Sequence, residues 1–153
     1  MHVMPSKSEA LANLLAEAER AGGRTLLDLM LEEDAPEELR EVLRKLAHDE
    51  GYWARRLDSY VRSGGGSPSG VTGDFAQKVR AVSGLREKLV LLNRGQRWVI
   101  RTIDQHLASV DDPELRGILY AMAQSHHANV RLVDENLALL PASTAGHDGC
   151  GPE

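Results

Sequence analysis

Four residues carry whatever chemistry this sequence can do: Glu19, Glu50, Gln96 and His126, each in the middle of an otherwise apolar stripe of a long helical segment. A carboxylate or an imidazole brought into an apolar core has to be neutral, paired or bound to a metal ion, because an isolated buried charge loses its hydration. If the helices converge, two carboxylates, an amide and an imidazole could form an ion-paired network or a ligand set for a divalent cation. Neighbouring positions on a helix lie within about 100° of one another. Glu17 therefore stands as the alternative to Glu19, and His127 as the alternative to His126.

Helical periodicity has to position these groups. Ser6 followed by Glu9 makes a capping-box pattern, and Leu15, Glu19, Gly22, Leu26 and Leu29 repeat at three- and four-residue steps, which predicts a first helix to about Glu33. Asp34, with Glu37 three residues on and Pro36 in the first turn, opens a second helix. Its stripe of Leu39, Leu43, Leu46, Glu50, Trp53, Leu57 and Tyr60 stops at Gly64, Gly65 and Gly66. The stretch from Ser63 to Gly73, SGGGSPSGVTG, cannot continue a helix and is long enough to be a crossover rather than a tight turn. Asp74 with Gln77 starts a third segment that breaks near Ser83 and Gly84 and resumes as Leu85, Leu89, Leu92, Gln96, Val99, Ile103 and Leu107, so the third helix is expected to be bent or split. Asp112 before Pro113 begins the last helix, with Leu115, Leu119, Met122, His126, Asn129, Val133 and Leu137 on one face, and Pro141 ends it.

No segment shows the alternation of β-branched residues that strands need, so the fold class is all-α, and two hairpins joined by a crossover predict a four-helix bundle over residues 1–141. Residues 142–153 are small and polar and are expected to form a disordered tail; its His147 and Cys150 are far from a paired-cysteine zinc pattern. A chain of 153 residues with 42% hydrophobic content suits a single domain with its own core. Net charge is −5 with Lys and Arg interleaved among acids, which leaves no basic face for nucleic acid. With no leader-like apolar start and no apolar run of about 18 residues, no membrane span and a cytoplasmic setting are expected. Hydrolase and kinase chemistry is unsupported, since Gly64 to Gly66 follow a helix rather than a strand and no nucleophile elbow occurs. His48 with Asp49 reads as a solvated pair, and His106 as a partner for C-terminal carbonyls of its helix. A weaker stripe of Leu91, Gly95, Trp98 and Thr102 lies on another face from Gln96. Trp98 there is expected to cover the crossover or to meet another subunit, which makes a homodimer the expected assembly.

Along the four helices the polar groups run single, pair, single, pair: Glu19, then Glu50 with Trp53 three residues on, then Gln96, then His126 with Asn129 three residues on. Di-iron and di-manganese bundles use this order, with one Glu from each of two helices and a Glu-x-x-His pair from each of the others. The sequence resembles the ferritin-like superfamily, and within it a group of bacterial domains of unknown function. The resemblance rests on LLAEAERAG around Glu19, HDEGYWARRL around Glu50, GGGSPSGVTG followed by FAQK, LNRGQRWVIR around Gln96 and SHHANV around His126, over about residues 10–137. It implies a dinuclear iron or manganese centre for oxygen, peroxide or iron chemistry. Carried over residue by residue, Glu19 matches the carboxylate of the first helix and Glu50 the Glu of the first Glu-x-x-His, but Trp53, which cannot ligate a metal, stands where its His belongs. Gln96 replaces the bridging carboxylate, and His126 and Asn129 replace the second Glu and His. Two of six ligands keep their type, with His126 as a substitute nitrogen donor.

Three functions fit this pattern. The first is a non-ferroxidase interaction or stress-associated module with a degenerate site, in which Glu50 and His126 pair and Glu19, Gln96 and Asn129 complete a polar network that fixes helix register. The second is an oxidoreductase or iron-handling protein with one iron or manganese ion at Glu19, Glu50 and His126, where Gln96 and Asn129 orient a bound water or oxygen species. The third is a small-molecule site in the bundle core lined by Trp53, Gln96 and Asn129.

Overall fold

A computed structural model describes residues 4–141. The tail expected at 142–153, with His147 and Cys150, lies outside the described residues, as do residues 1–3. Among the described residues the chain forms five α-helices and no strand: α1 (Lys7–Met30), α2 (Glu37–Ser63), α3 (Phe75–Arg80), α4 (Leu85–Leu107) and α5 (Pro113–Leu139). None of these helices is long and apolar enough to cross a membrane.

Two helix starts follow the sequence signals closely. Ser6 Oγ accepts the Glu9 N–H at 3.0 Å, and Asp112 Oδ1 accepts the Glu114 N–H at 3.0 Å with Pro113 in the first turn. The second helix starts differently. Pro36 is its N-cap rather than part of its first turn, and Asp34 lies outside it without capping. The expected bend in the third helix is a full break: Gly84 adopts φ 91°, a conformation that a Cβ disfavours, and the chain leaves α3 and enters α4 there.

The long helices pack in antiparallel pairs, α1 with α2 and α4 with α5, and the pairs meet where α2 touches α5 and α1 touches α4. Direction follows from the core, because the start of α1 (Leu11, Leu15) shares a cluster with the end of α2 (Leu57), the end of α4 (Val99, Ile103) and the start of α5 (Leu115, Leu119). A second cluster gathers the opposite ends: Leu26 and Leu29, Leu39 to Leu46, Leu85 to Leu92, and Val133. The buried polar residues Glu19, Glu50, Asn93, Gln96, His126 and Asn129 fall between the two clusters on every long helix, so the core is an apolar, polar, apolar stack.

Two devices hold this arrangement at its ends. Carbonyls at and just past helix C-termini take a side-chain donor from arginines of neighbouring helices, several of them in addition to a backbone N–H: Arg40 donates to Met30 O and Glu32 O, Arg116 to Leu107 O and Val110 O, and Arg86 to Leu137 O. The glycine-rich segment between α2 and α3 is strapped to α1. Asn13 accepts from the Ser69 N–H at 3.0 Å and donates to Ser67 O, while Arg20 donates to Val71 O at 2.8 Å and pairs with Asp58 at 3.0 Å.

Candidate metal centre

Glu19 from α1, Glu50 from α2 and His126 from α5 meet in the polar layer, with one ligand atom of each lying within 4.8 Å of the others. All three are buried, which selects Glu19 over the half-buried Glu17 and His126 over the exposed His127. Among the described residues no other group of three His, Cys, Asp or Glu side chains is gathered in this way.

The imidazole sets the chemistry of the cluster. His126 Nδ1 lies 2.9 Å from the carbonyl oxygen of Met122, which can only accept, so Nδ1 carries a hydrogen. Nε2 then faces Glu19 Oε2 at 3.1 Å and Glu50 Oε2 at 3.2 Å. A lone pair aimed at two carboxylates would be repelled, so Nε2 either holds a second proton or binds a cation. One N–H also cannot satisfy both acids. Glu19 Oε1 and Glu50 Oε2 are buried without a hydrogen-bond partner, an expensive condition for carboxylate oxygens that a positive ion would relieve.

Electrostatics follow from this crowding. Burial, then the charge of Glu50, pushes the Glu19 carboxyl up to about 8, against a smaller downward pull from His126. Burial alone would depress His126, but the Glu19 and Glu50 carboxylates outweigh it and hold the imidazolium well above its ordinary range. Without a metal ion the two acids favour a protonated His126, and burial with the charge of Glu50 favours keeping a proton on Glu19.

Gln96 is oriented by a residue that sequence reasoning passed over. Buried Asn93 spends both amide hydrogens on Val130 O and Asp134 Oδ1, so its oxygen receives the Gln96 Nε2 hydrogen at 3.0 Å. The remaining atom, Gln96 Oε1, is buried and unpartnered. Asn93 precedes Gln96 by three residues, and that spacing was the available signal. Gly22, which the periodicity places on the apolar stripe of α1, has a larger part: a Cβ there would stand 2.1 Å from Glu50 Oε1, so the carboxylate occupies the space its missing side chain leaves.

The other candidate residues lie elsewhere. Asn129 is buried with its amide taken, donating to Asp49 Oδ2 at 3.1 Å and accepting from Lys45 Nζ at 2.6 Å. Trp53 packs against the apolar cluster and donates to Ser125 Oγ at 3.3 Å. Asp49 is half-buried and bonded to Lys45 and Asn129 rather than solvated with the exposed His48. His106 contacts the Thr102 carbonyl near the end of α4. A groove of about 520 Å³ opens between α1, α3 and α4 and reaches Glu50 and Gln96; Trp98 lines it, whereas Trp53 and Asn129 do not.

Residues 7–135 match the family described as domain of unknown function DUF6306, and the chain belongs to that family. No curated protein and no solved structure matches the chain.

Proposed function

We propose that this member of the DUF6306 family is a ferritin-like four-helix bundle, with α1, α2, α4 and α5 as its long helices and the segment from Gly64 through α3 as its crossover, and that its core holds one iron or manganese ion at Glu19, Glu50 and His126. Support for the fold comes from the antiparallel pairing and the polar layer at mid-height of all four long helices. The observation that carries the site is the state of His126: its Nδ1 hydrogen is committed to Met122 O, which aims the Nε2 lone pair at the space shared with two carboxylates.

The donor set fits. Two carboxylates and a neutral imidazole offer oxygen and nitrogen ligands suited to divalent iron or manganese, balance its charge, and leave coordination positions open. An ion held in this way supplies redox chemistry toward oxygen or peroxide. The chain's own part is to keep the ligands dry, to fix the His126 tautomer through Met122 O, and to hold Gln96 with its oxygen unspent. One ion is proposed rather than two, because Trp53 and Gln96 stand where further ligands would be needed and Asn129 is bound to Lys45 and Asp49.

The test is elemental analysis of protein produced with added iron or manganese. About one ion per chain is expected, falling to background in Glu50→Gln and Glu19→Gln. Unchanged metal content in either variant would overturn the assignment. A metal-free charge cluster is the second reading, favoured by the nearly equal approach of His126 Nε2 to both acids; protein that takes up no ion yet melts normally would establish it.

A further inference from the structure

The three candidate ligands differ in how they meet the outside. Glu19 and His126 are fully enclosed, whereas Glu50 keeps 5% of its surface exposed and lines the groove of about 520 Å³ between α1, α3 and α4. The two oxygens of its carboxylate have different neighbours. Oε2 lies 3.2 Å from His126 Nε2 and is enclosed, while Oε1 fills the gap left at Gly22, which also lines the groove. Small residues clear this wall of side chains: Ala18, Ala21 and Gly22 on α1, and Gly73 just before α3. The charged lining is balanced, with Glu17, Glu50 and Asp74 against Lys78, Arg94 and Arg101, so width rather than field controls what passes.

We infer that the groove is the path by which a small divalent cation reaches the buried layer, that Gly22 marks its inner end, and that Glu50 is the ligand the cation meets first. The inference rests on the metal-site reading and adds a route and a gate to it. Oε2 of Glu50, Nε2 of His126 and the carboxylate of Glu19 are all enclosed, so they offer an incoming cation nothing while Glu50 stays in place. Oε1 beside Gly22 takes the cation from the groove, and rotation of the Glu50 side chain then brings it to Glu19 and His126. Carboxylate oxygens suit this transfer for manganese or ferrous iron. Gly73 is the place to obstruct it. Its φ is not positive, it is exposed, and a Cβ there would make ordinary contact, at 3.8 Å, with the Cβ of Ala21, the residue before Gly22.

The time course of manganese loading into chelator-treated full-length protein tests the path. Cys150, the single cysteine, is replaced in Cys150→Ser, and Gly73→Cys is labelled with benzyl methanethiosulfonate. The label should slow loading by about tenfold or more without lowering the final metal content. Reducing the mixed disulfide should restore the parent rate, which separates an obstructed groove from a misfolded chain. The same label at Tyr120→Cys, exposed on α5 and outside the groove, should leave the rate unchanged. A second measurement needs no metal. In the Cys150→Ser chain, Glu50→Cys should react with the small cation aminoethyl methanethiosulfonate about tenfold faster than Glu19→Cys, and Gly73→Leu should slow the reaction at position 50. A parent that takes up no ion, while Gly73→Leu still protects the thiol at position 50, would remove the metal assignment and uphold the groove as the way in. Loading of the labelled chain at the parent rate would overturn the path and leave the metal assignment standing. Equal reactivity of the thiols at positions 19 and 50 would also overturn it.

Discussion

The carboxylate of Glu50 sits where a side chain at Gly22 would begin, its Oε1 2.1 Å from the position of the missing Cβ. The α1 backbone therefore forms one wall of the site, and the glycine is required by space rather than by backbone conformation.

Gly22→Ala should consequently be harmful although alanine favours helix by about 1 kcal/mol. Glu50 borders the groove, so the added methyl should push its carboxylate toward that space and away from His126, lowering Tm and reducing metal uptake. Combining Gly22→Ala with Glu50→Ala should cost less than the sum of the two single changes. Strict additivity of the melting free energies would refute direct contact between these positions.

Stability should depend on pH with one sign without metal and weaken that dependence, or reverse it, with metal. Glu19 is raised from an ordinary 4.5 to about 8, so the folded chain binds more protons than the unfolded one across that interval and loses stability as pH climbs through it. His126 is raised above 6.5, and its contribution is fully present below 6.5 and lost as pH rises through its higher folded value. Manganese displaces these protons, so its affinity should increase with pH. Melts between about pH 6 and about pH 8.5, with chelator or with manganese, should diverge steadily; parallel curves would exclude the cluster as a metal site.

Glu50→Gln separates the two roles of the acid. It leaves one carboxylate with one imidazolium, removing the repulsion that helps to raise Glu19, so the metal-free variant should gain stability relative to the parent at alkaline pH. Metal affinity should fall by more than the roughly 10–100-fold typical of losing an outer-shell partner. A metal-free variant destabilised by about 3 kcal/mol or more at every pH would show instead that Glu50 is essential to the polar layer.

Arg20→Ala tests the strap on the glycine-rich segment between α2 and α3. Its guanidinium holds Val71 O, Ser69 Oγ and the half-buried Asp58, and its removal should cost about 1–3 kcal/mol. Proteolysis within 64–74 should accelerate, while cleavage in α5 should not. A cleavage pattern like the parent's would mean that Asn13 alone secures the segment.

The local order of this chain was legible because it is written in local chemistry. Helical periodicity, Ser6 and Asp112 as caps, the break at Gly84 and the polar residues set in each apolar stripe all depend on neighbours within about one turn. The same periodicity could not choose between His126 and His127, since adjacent residues differ by about 100° and only the packed neighbours decide which of them is enclosed, whereas Glu17, two positions and about 200° from Glu19, lies off the stripe that carries Glu19. Nor could it tell that Asn129 would be claimed by Lys45 and Asp49, 84 and 80 residues away.

By itself, then, the sequence determined which segments are helical, which faces are apolar and which four polar residues lie on them, because stripe and cap are short-range properties. Only the tertiary structure decided that three of those residues share one buried space, that Gly22 makes room for Glu50, that Asn93 leaves the Gln96 oxygen free, and that arginines from other helices reach the C-terminal carbonyls. These are relations across long sequence separations, and they exist only once two apolar clusters have fixed the helices in register.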